Sequence, residues 1–385
     1  MVRGPRPVED VVISSAFWRG RRVFLTGHTG FKGAWLSLML ERLCADVTGF
    51  ALAPPTEPNL FDLAGVAAGL RDIRGDVADA EALARALAAA EPEIVIHMAA
   101  QPLVRQSYAD PVETYRTNVM GTVHLLDAVR HQPSVRTVLI VTTDKCYENR
   151  EWARAYRESD ALGGHDPYSS SKACAEIAAA AFGRSFLNGR AVRVVTARAG
   201  NVIGGGDFAA DRILPDAMRA AIAGRSLHVR NPRAVRPWQH VLDPLLGYLL
   251  LAEAATDRRD GIEGAFNFGP GPAGERNVGE LLATWADAWG NGAAWTADTR
   301  PQPHEATLLR LDTSRARHVL GWTPQVLFED AVVSSAQWYR AYGDGRDLRE
   351  MTFGQIDPVM GRVVRLVSPF AQSETRAEED QRRAG

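Results

Sequence analysis

Tyr168 and Lys172 stand four residues apart in the run Asp166-Pro167-Tyr168-Ser169-Ser170-Ser171-Lys172. Residues at that spacing share one face of a helix, so a helix from Tyr168 aims a phenol and an ammonium into the same cleft. A nearby cation favours the phenolate, which makes a phenol of pKa ~10 a usable base for a hydroxyl proton. Tyr168 is therefore the first catalytic candidate. The lysine count strengthens the pair: of 44 basic residues only three are lysines, Lys32, Lys145 and Lys172. A chain that uses arginine almost everywhere keeps a compact, titratable ammonium where a guanidinium cannot replace it. All three lysines fall inside the motifs that follow.

The chain has 385 residues and a net charge of −2, more than the usual domain of ~100–200 residues, so one large domain with a second lobe is expected. Mixed charge leaves no electrostatic footprint for nucleic acid or an anionic membrane, and a small-molecule partner is expected. Three cysteines, Cys44, Cys146 and Cys174, have neither the number for a disulfide framework nor metal-ligand spacing. No metal is expected, and a reducing cytoplasm fits. The N-terminal segment through Trp18 lacks the apolar stretch of a secretory signal and is expected to lie over the surface. The apolar stretch 245–255 is shorter than the ~20 residues of a membrane span. The polar tail 372–385 reads as disordered.

The elements that must position the pair follow in chain order. Residues 22–26 form a short apolar run, then comes Gly27-His28-Thr29-Gly30-Phe31-Lys32-Gly33, then an apolar helical stretch over 34–43. Strand, glycine turn and helix together let a backbone approach a pyrophosphate and hold it at the helix N-terminus. A second strand over 46–52 ends without the acidic residue that commonly binds the adenosine ribose, and Lys32 could favour a ribose phosphate, so local chemistry leaves NAD and NADP both open. Asp76 and Val77 follow the next strand, where a carboxylate could meet adenine or cap a helix, and an alanine-rich helix covers 80–90. The strand starting at Glu93 opens into Ala99, Ala100 and Gln101, small residues across which a dinucleotide can lie. His97 inside it reads as structural. Asn118, at the start of another helix, reads as a brace for the active-site backbone. A strand over 137–142 delivers Thr143-Asp144-Lys145-Cys146-Tyr147.

These residues, with Arg198-Ala199-Gly200-Asn201, resemble the extended short-chain dehydrogenase/reductases that act on nucleotide sugars. The glycine turn, Met98 to Val104, Thr143 to Tyr147, the run from Asn201 through Gly204-Gly205-Gly206 to Asp207, and Arg236-Pro237-Trp238-Gln239-His240 resemble the CDP-glucose branch of the 4,6-dehydratases. The likeness extends from about residue 17 to 342. It implies an α/β fold: a Rossmann-like doubly wound parallel sheet with a smaller mixed C-terminal substrate-binding lobe. Residues 1–17 would form an N-terminal extension, 18–198 with about 238–268 the NAD-binding domain, 199–237 with about 269–345 the lobe, and 346–385 a C-terminal extension. Lobe helices are expected over 277–289 and 313–320, with Trp285, Trp289, Trp295 and Trp322 in its core.

The resemblance implies NAD held by Gly27, Thr29, Gly30, Phe31, Lys32, Gly33, Asp76, Val77, Ala99, Ala100, Gln101, Asn118, Tyr168 and Lys172. Tyr168 would take the proton from the hydroxyl on sugar carbon 4, with Lys172 and Thr143 assisting, while hydride leaves for the nicotinamide. The ketone acidifies carbon 5, water leaves across carbons 5 and 6, and hydride returns to carbon 6. Asp144 would be the acid if its site keeps it protonated. Lys145 would be the base if burial or a neighbouring cation lowers its pKa, and otherwise a cation stabilising the enolate. Asn201, Arg212, Arg230, Arg236 and His304 are substrate-binding candidates, with Arg300 and Glu305 nearby. Three other functions fit the same turn and helix: a nucleotide-sugar 4-epimerase, which needs no elimination acid, a dehydratase for another nucleotide sugar, and a non-catalytic NAD-binding regulator, which needs no intact Tyr-Lys pair. Family members pair through helices near 112–130 and 168–186, which implies a homodimer or homotetramer.

Overall fold

The structure, a computed structural model, describes residues 13–290, 294–297 and 309–365. Short apolar runs rich in valine and isoleucine become seven strands: β1 (Arg22–Thr26), β2 (Asp46–Ala51), β3 (Arg71–Arg74), β4 (Ile94–His97), β5 (Thr137–Val141), β6 (Arg193–Ala199) and β7 (Gly264–Phe268). They pair in parallel in the order β3-β2-β1-β4-β5-β6-β7. The inner strands are largely apolar because both faces are covered, whereas the edge strand β3, Arg-Asp-Ile-Arg, is mostly exposed. Phe24, Val95 and Val138 pack towards helices α2 (Ala80–Ala90), α3 (Gly121–Arg130) and α4 (Pro167–Phe182). Val23, Leu25, Ile94, Ile96 and Leu139 face the other way, towards α1 (Phe31–Arg42) and α5 (Leu242–Thr256). This is the doubly wound α/β architecture that the resemblance implied.

Strand order reverses between β1 and β4, whose last residues Thr26 and His97 lie side by side. That switch point opens a crevice at the carboxyl ends of the strands, and the glycine turn sits in it. Helix α1 begins at Phe31, earlier than the apolar pattern from residue 34 suggests, because Gly30 caps it and Gly33 lies inside its first turn.

The smaller lobe is built from short pairings: Val202–Ile203 with Gln239–His240, Val235–Pro237 with Glu275–Asn277, and Leu227–Val229 with Trp295–Ala297. Helices Ile213–Ile222, α6 (Val278–Trp289) and α7 (Phe328–Gly343) pack with them. Asn277 and Glu280 form a reciprocal capping box that starts α6. Trp285 and Trp322 are buried, and Trp289 stacks on Trp285 at 5.2 Å, so these rings serve the core.

Two terminal expectations are corrected. Ile13 and Trp18 are 0% exposed, so the segment before β1 does not simply lie over the surface. Its apolar side chains enter the core, and Ile13–Ser14 pairs in parallel with Val364–Arg365. Residues 348–363, read as part of an extension, form helix α8 (Leu348–Val363), which packs on α7 and α1. The tail 372–385 lies outside the described residues. Trp18→Ala is expected to cost about 3–5 kcal/mol, as for other buried large-to-small changes, read from urea denaturation. A loss below about 1 kcal/mol, typical of a surface change, would remove Trp18 from the core.

Candidate active site

Asp166 starts α4. Its carboxylate accepts the Ser169 amide at 2.9 Å and the Ser169 hydroxyl at 2.6 Å, and Pro167 fills the first turn. Tyr168 and Lys172 therefore share the face turned to the ends of β4 and β5. Lys172 is buried and reaches the Val141 carbonyl at 3.4 Å. Burial pulls its pKa down to about 8, the like charge of Lys32 adds to this, and Glu176 opposes it. Tyr168 is pushed up to about 12 by burial, against a hydrogen bond with Thr143 and the charge of Arg212. The sequence suggested that a neighbouring cation would make Tyr168 a ready base. In the protein alone burial outweighs the cations, and the phenol stays protonated.

The turn after β5 is a short 3-10 helix, Asp144–Cys146, capped by Thr143. The Thr143 hydroxyl donates to Asp144 Oδ1 at 2.9 Å. Asp144 is 4% exposed, and burial raises its pKa against Lys145, the Thr143 hydrogen bond and Lys32. The direction of that shift is the one the acid role requires. Lys145 does not meet the condition set for a base by burial, because its side chain is exposed. A 3-10 helix has about three residues per turn, and of its three side chains here Asp144 and Cys146 turn inward while Lys145 faces out.

Lys32 is the larger correction. Its position in the glycine turn suggested a ribose phosphate. Instead its ammonium stands 6.0 Å from the centre of the Tyr248 ring and interacts with Lys172, Arg212 and Asp144. It lies at the reaction end of the crevice, and burial, then Arg212, lowers its pKa to about 8.

A cradle for a dinucleotide is present. Gly27 has φ +76°, and a Cβ there would come within 2.6 Å of the Ala99 amide. A Cβ on Gly33 would strike the Gly27 carbonyl, so the turn closes only with glycine at both positions. Gly30 makes no side-chain cap at the start of α1, the end of a helix whose first-turn amides suit an anion. Thr29 donates to the Leu52 carbonyl at 3.0 Å. Half-buried Ala99 and Ala100 line the end of β4.

Asn118 is a brace: it accepts the Gln101 amide at 2.8 Å and donates to the Gln101 carbonyl at 3.1 Å and to Ser171 at 2.9 Å. The Gln101 side chain is likewise engaged, with Leu103 and Thr114. His97 is buried, with Thr26 and Thr122 on its two ring nitrogens, and burial brings it down to about 3, so it is a neutral structural histidine. Asp76 accepts from the Ala78 amide and from Arg116, both at 2.9 Å, and the Val77 carbonyl meets His124. The end of β2 carries no acid, and the neighbouring carboxylate is already engaged. Gly49 leaves room for the buried His28 ring, and Asp72 of β3 holds His28 at 2.8 Å and Arg74 at 2.8 Å.

Of the substrate candidates, Arg212 lies beside Tyr168 and Lys32, with Asp207 at 3.7 Å. Half-buried Arg236 donates to the Val235 carbonyl. Its neighbour Pro237 approaches Gly200, which precedes the half-buried Asn201. Arg230 is exposed, in the bend after Leu227–Val229. His304, Arg300 and Glu305 lie outside the described residues.

Sequence reading assigned no role to Glu176, though its place one turn beyond Lys172 was a signal, nor to Arg198 or Gly200. A Cβ on Gly200 would come within 2.7 Å of Asp144 Oδ2, so this glycine gives the carboxyl its room. Gly200→Ala is expected to lower kcat about 100-fold, the cost of misplacing a reacting group by roughly an ångström, with the fold kept by circular dichroism. Unchanged kcat would show that the carboxyl position is immaterial.

A model of the GDP-mannose 4,6 dehydratase family matches residues 24–334. A CDP-glucose 4,6-dehydratase of Salmonella typhimurium is 44% identical over 359 residues, covering 92% of this chain and 100% of that protein. A dTDP-glucose 4,6-dehydratase of Streptomyces antibioticus is 31% identical over 334 residues, covering 83% and 92%. Among solved structures, MoeE5 in complex with UDP-glucose and NAD matches with a TM-score of 0.69 at 25% identity, covering 83% of this chain and 99% of that one. With its sheet order, glycine cradle and Tyr168–Lys172 helix, the chain belongs to the GDP-mannose 4,6 dehydratase family, within the extended short-chain dehydrogenase/reductases.

Proposed function

We propose that the protein converts CDP-glucose to CDP-4-keto-6-deoxyglucose, as a hydro-lyase. The observation that carries the reading is the buried carboxyl of Asp144, held in its turn beside the Tyr168–Lys172 helix, in a chain 44% identical to a CDP-glucose 4,6-dehydratase along that protein's whole length. A 4-epimerase needs the tyrosine and lysine but no elimination acid, and a non-catalytic regulator needs neither.

The glycine cradle and the open amides of α1 fit the pyrophosphate of NAD, the dinucleotide in the MoeE5 complex. NAD bound there would supply the hydride acceptor for sugar carbon 4 and the hydride donor for carbon 6. Phe31, Lys32 and Gly33 would hold its pyrophosphate through their amides, with Thr29 and the small residues Ala99 and Ala100 shaping the bed. Asp76 and Val77 would border the adenine, and Asn118 keeps the Gln101 backbone in place.

Tyr168 takes the proton of the carbon-4 hydroxyl, and Thr143, hydrogen-bonded to the phenol, orients the same oxygen. Arg212 already works against the burial that holds the phenol at about 12, and Lys172, one helical turn on, would add to that as a cation. Asp144, whose carboxyl burial pushes towards its protonated form, gives its proton to the hydroxyl leaving carbon 6. The carbon-5 proton leaves to water on the exposed side of the turn, and Lys145 stabilises the resulting enolate as a cation, the role left to an exposed ammonium. Asn201, Arg212, Arg230 and Arg236 bind the diphosphate side, where guanidinium forks match phosphate oxygens. His304 is assigned to the sugar nucleotide on the sequence alone.

Incubation with NAD and, separately, CDP-, dTDP-, UDP- and GDP-glucose tests the reaction by product mass. Loss of one water is expected from CDP-glucose alone, with Tyr168→Phe slower by about 100- to 10,000-fold, the usual contribution of a positioned base. An unchanged mass with an inverted hydroxyl would make the protein an epimerase, and no turnover of any sugar would leave only cofactor binding.

No helix among the described residues is long and apolar enough to cross a membrane, and the free cysteines suit the cytoplasm. A second copy of the chain is proposed to cover the outer face of α4 and the helices beside it. There Val112 is 77%, Tyr108 66%, Ile177 58% and Phe186 45% exposed, and exposed large apolar side chains on these helices support that reading. Ile177→Glu is expected to convert a dimer or tetramer into smaller species in sedimentation velocity. A wild-type monomer would remove the interface.

A further inference from the structure

Behind the reaction centre lies a polar knot that none of the roles above uses. Glu176 stands one turn beyond Lys172 on α4, on the same face as Lys172 and Tyr168. Arg198 comes from the end of β6. Both side chains are 4% exposed. They form a two-pronged pair, Arg198 Nε to Glu176 Oε1 at 3.0 Å and Nη2 to Oε2 at 2.9 Å. The carboxylate also accepts from the hydroxyls of Thr142 and Thr196. The third guanidinium nitrogen donates to the Tyr147 hydroxyl at 2.8 Å and to the Glu158 carbonyl at 3.3 Å. Tyr147 donates in turn to Asn267 Oδ1 at 2.8 Å.

Thr142 and Tyr147 are the two residues that bracket Thr143-Asp144-Lys145-Cys146. The first is tied to Glu176 and the second to Arg198, so each end of the turn is fastened to one half of the ion pair. Glu176 itself belongs to the helix that carries Tyr168 and Lys172. A buried pair of this kind is a poor source of stability, because the desolvation of both charges offsets most of their attraction. What it supplies is geometry.

We infer that the Glu176–Arg198 pair is the positioning element of the reaction centre, holding the turn with Thr143, Asp144 and Lys145 in register against the helix with Tyr168 and Lys172. What the turn then does rests on the dehydratase reading. The registering itself does not.

The pair also acts on the charge of Lys172. The titratable groups facing that ammonium are Lys32 from α1, His97 from β4, Cys146 from the turn and Glu176 from its own helix. His97 is neutral, the Cys146 thiol is pushed up by burial and is also neutral, and Lys32 repels. Glu176 is the anion of this group. Removing its charge therefore favours neutral Lys172, and the midpoint must move down from about 8.

With three lysines in the chain, carbon-13-lysine labelling gives three side-chain signals, assigned by substituting each lysine in turn. In the protein without cofactor or sugar, Glu176→Gln is expected to lower the Lys172 midpoint by at least about half a unit, a change of the size expected for loss of one nearby charge. Tyr147→Phe is expected to leave it in place. In the holoenzyme with CDP-glucose, Tyr147→Phe and Thr142→Val each cut one tether and keep the ion pair. Both are expected to lower kcat about 10- to 100-fold, as misplaced groups do, with little change in KM. Tyr147→Phe is also expected to slow elimination more than oxidation, so that the near-ultraviolet absorbance of reduced nicotinamide accumulates in a single turnover.

A merely structural role would lower stability and slow every step alike, with no such accumulation. Should Glu176→Gln fail to fold, the two tether variants carry the test. The inference is overturned if both tether variants keep kcat within about twofold of wild type, below any loss expected from misplacement, or if folded Glu176→Gln leaves the Lys172 midpoint unmoved. Wild type that removes no water from any sugar nucleotide would sink the dehydratase reading instead, and the cofactor-free titration would still decide the registering pair.

Discussion

Withdrawing charge from water is costly, and around the carboxyl ends of β1, β4 and β5 this molecule withdraws several charges at once. Glu176 and Arg198 meet that cost together, as a two-pronged pair with its remaining lone pairs and protons taken by Thr142, Thr196 and Tyr147. Lys32, Lys172 and Asp144 do not pair in that way, and burial shifts each towards its neutral form. The result is one fixed ion pair with adjustable groups in front of it. An acid that must hold a proton and a lysine that must respond to a bound cation both suit such surroundings.

The same economy of space shapes the cofactor side. Gly27, Gly33 and Gly49 each leave room for something that a methyl group would displace: the Ala99 backbone, the Gly27 carbonyl and the His28 ring. Close approach of backbone to backbone is what permits a pyrophosphate to reach helix amides. His28 fills the space beside β2, and Asp72 of the neighbouring strand provides the carboxylate at that edge. The fold alone does not choose among dehydration, epimerisation and simple binding. That choice falls to the turn after β5, where Asp144 is buried and Lys145 is not.

The sequence by itself determined what depends on near neighbours. Strand, glycine turn and helix were legible at residues 22–42 because alternation, glycine and helical period are local. The Tyr168–Lys172 pair was legible because four residues make one helical turn, and Asp166 and Pro167 mark its start. Apolar strands separated by helical stretches agreed with the parallel sheet that the family resemblance implied, and the burial of Trp285 and Trp322 followed from their size and surroundings.

Only the tertiary structure decided which distant residues meet, since strand ends far apart in the chain converge at the switch point of the sheet. It sent Lys32 to the reaction end of the crevice, left Lys145 in solvent and buried Trp18. It also joined Arg198 to Glu176 across 22 positions of chain and gave Asp144 the space that Gly200 leaves open. Protonation follows the same division. A residue's type sets its ordinary pKa, but the shift comes from burial and from neighbours that no local pattern specifies. Hence the chemistry of Tyr168 could be named from four residues, while the protonated state in which it waits is a property of the whole fold.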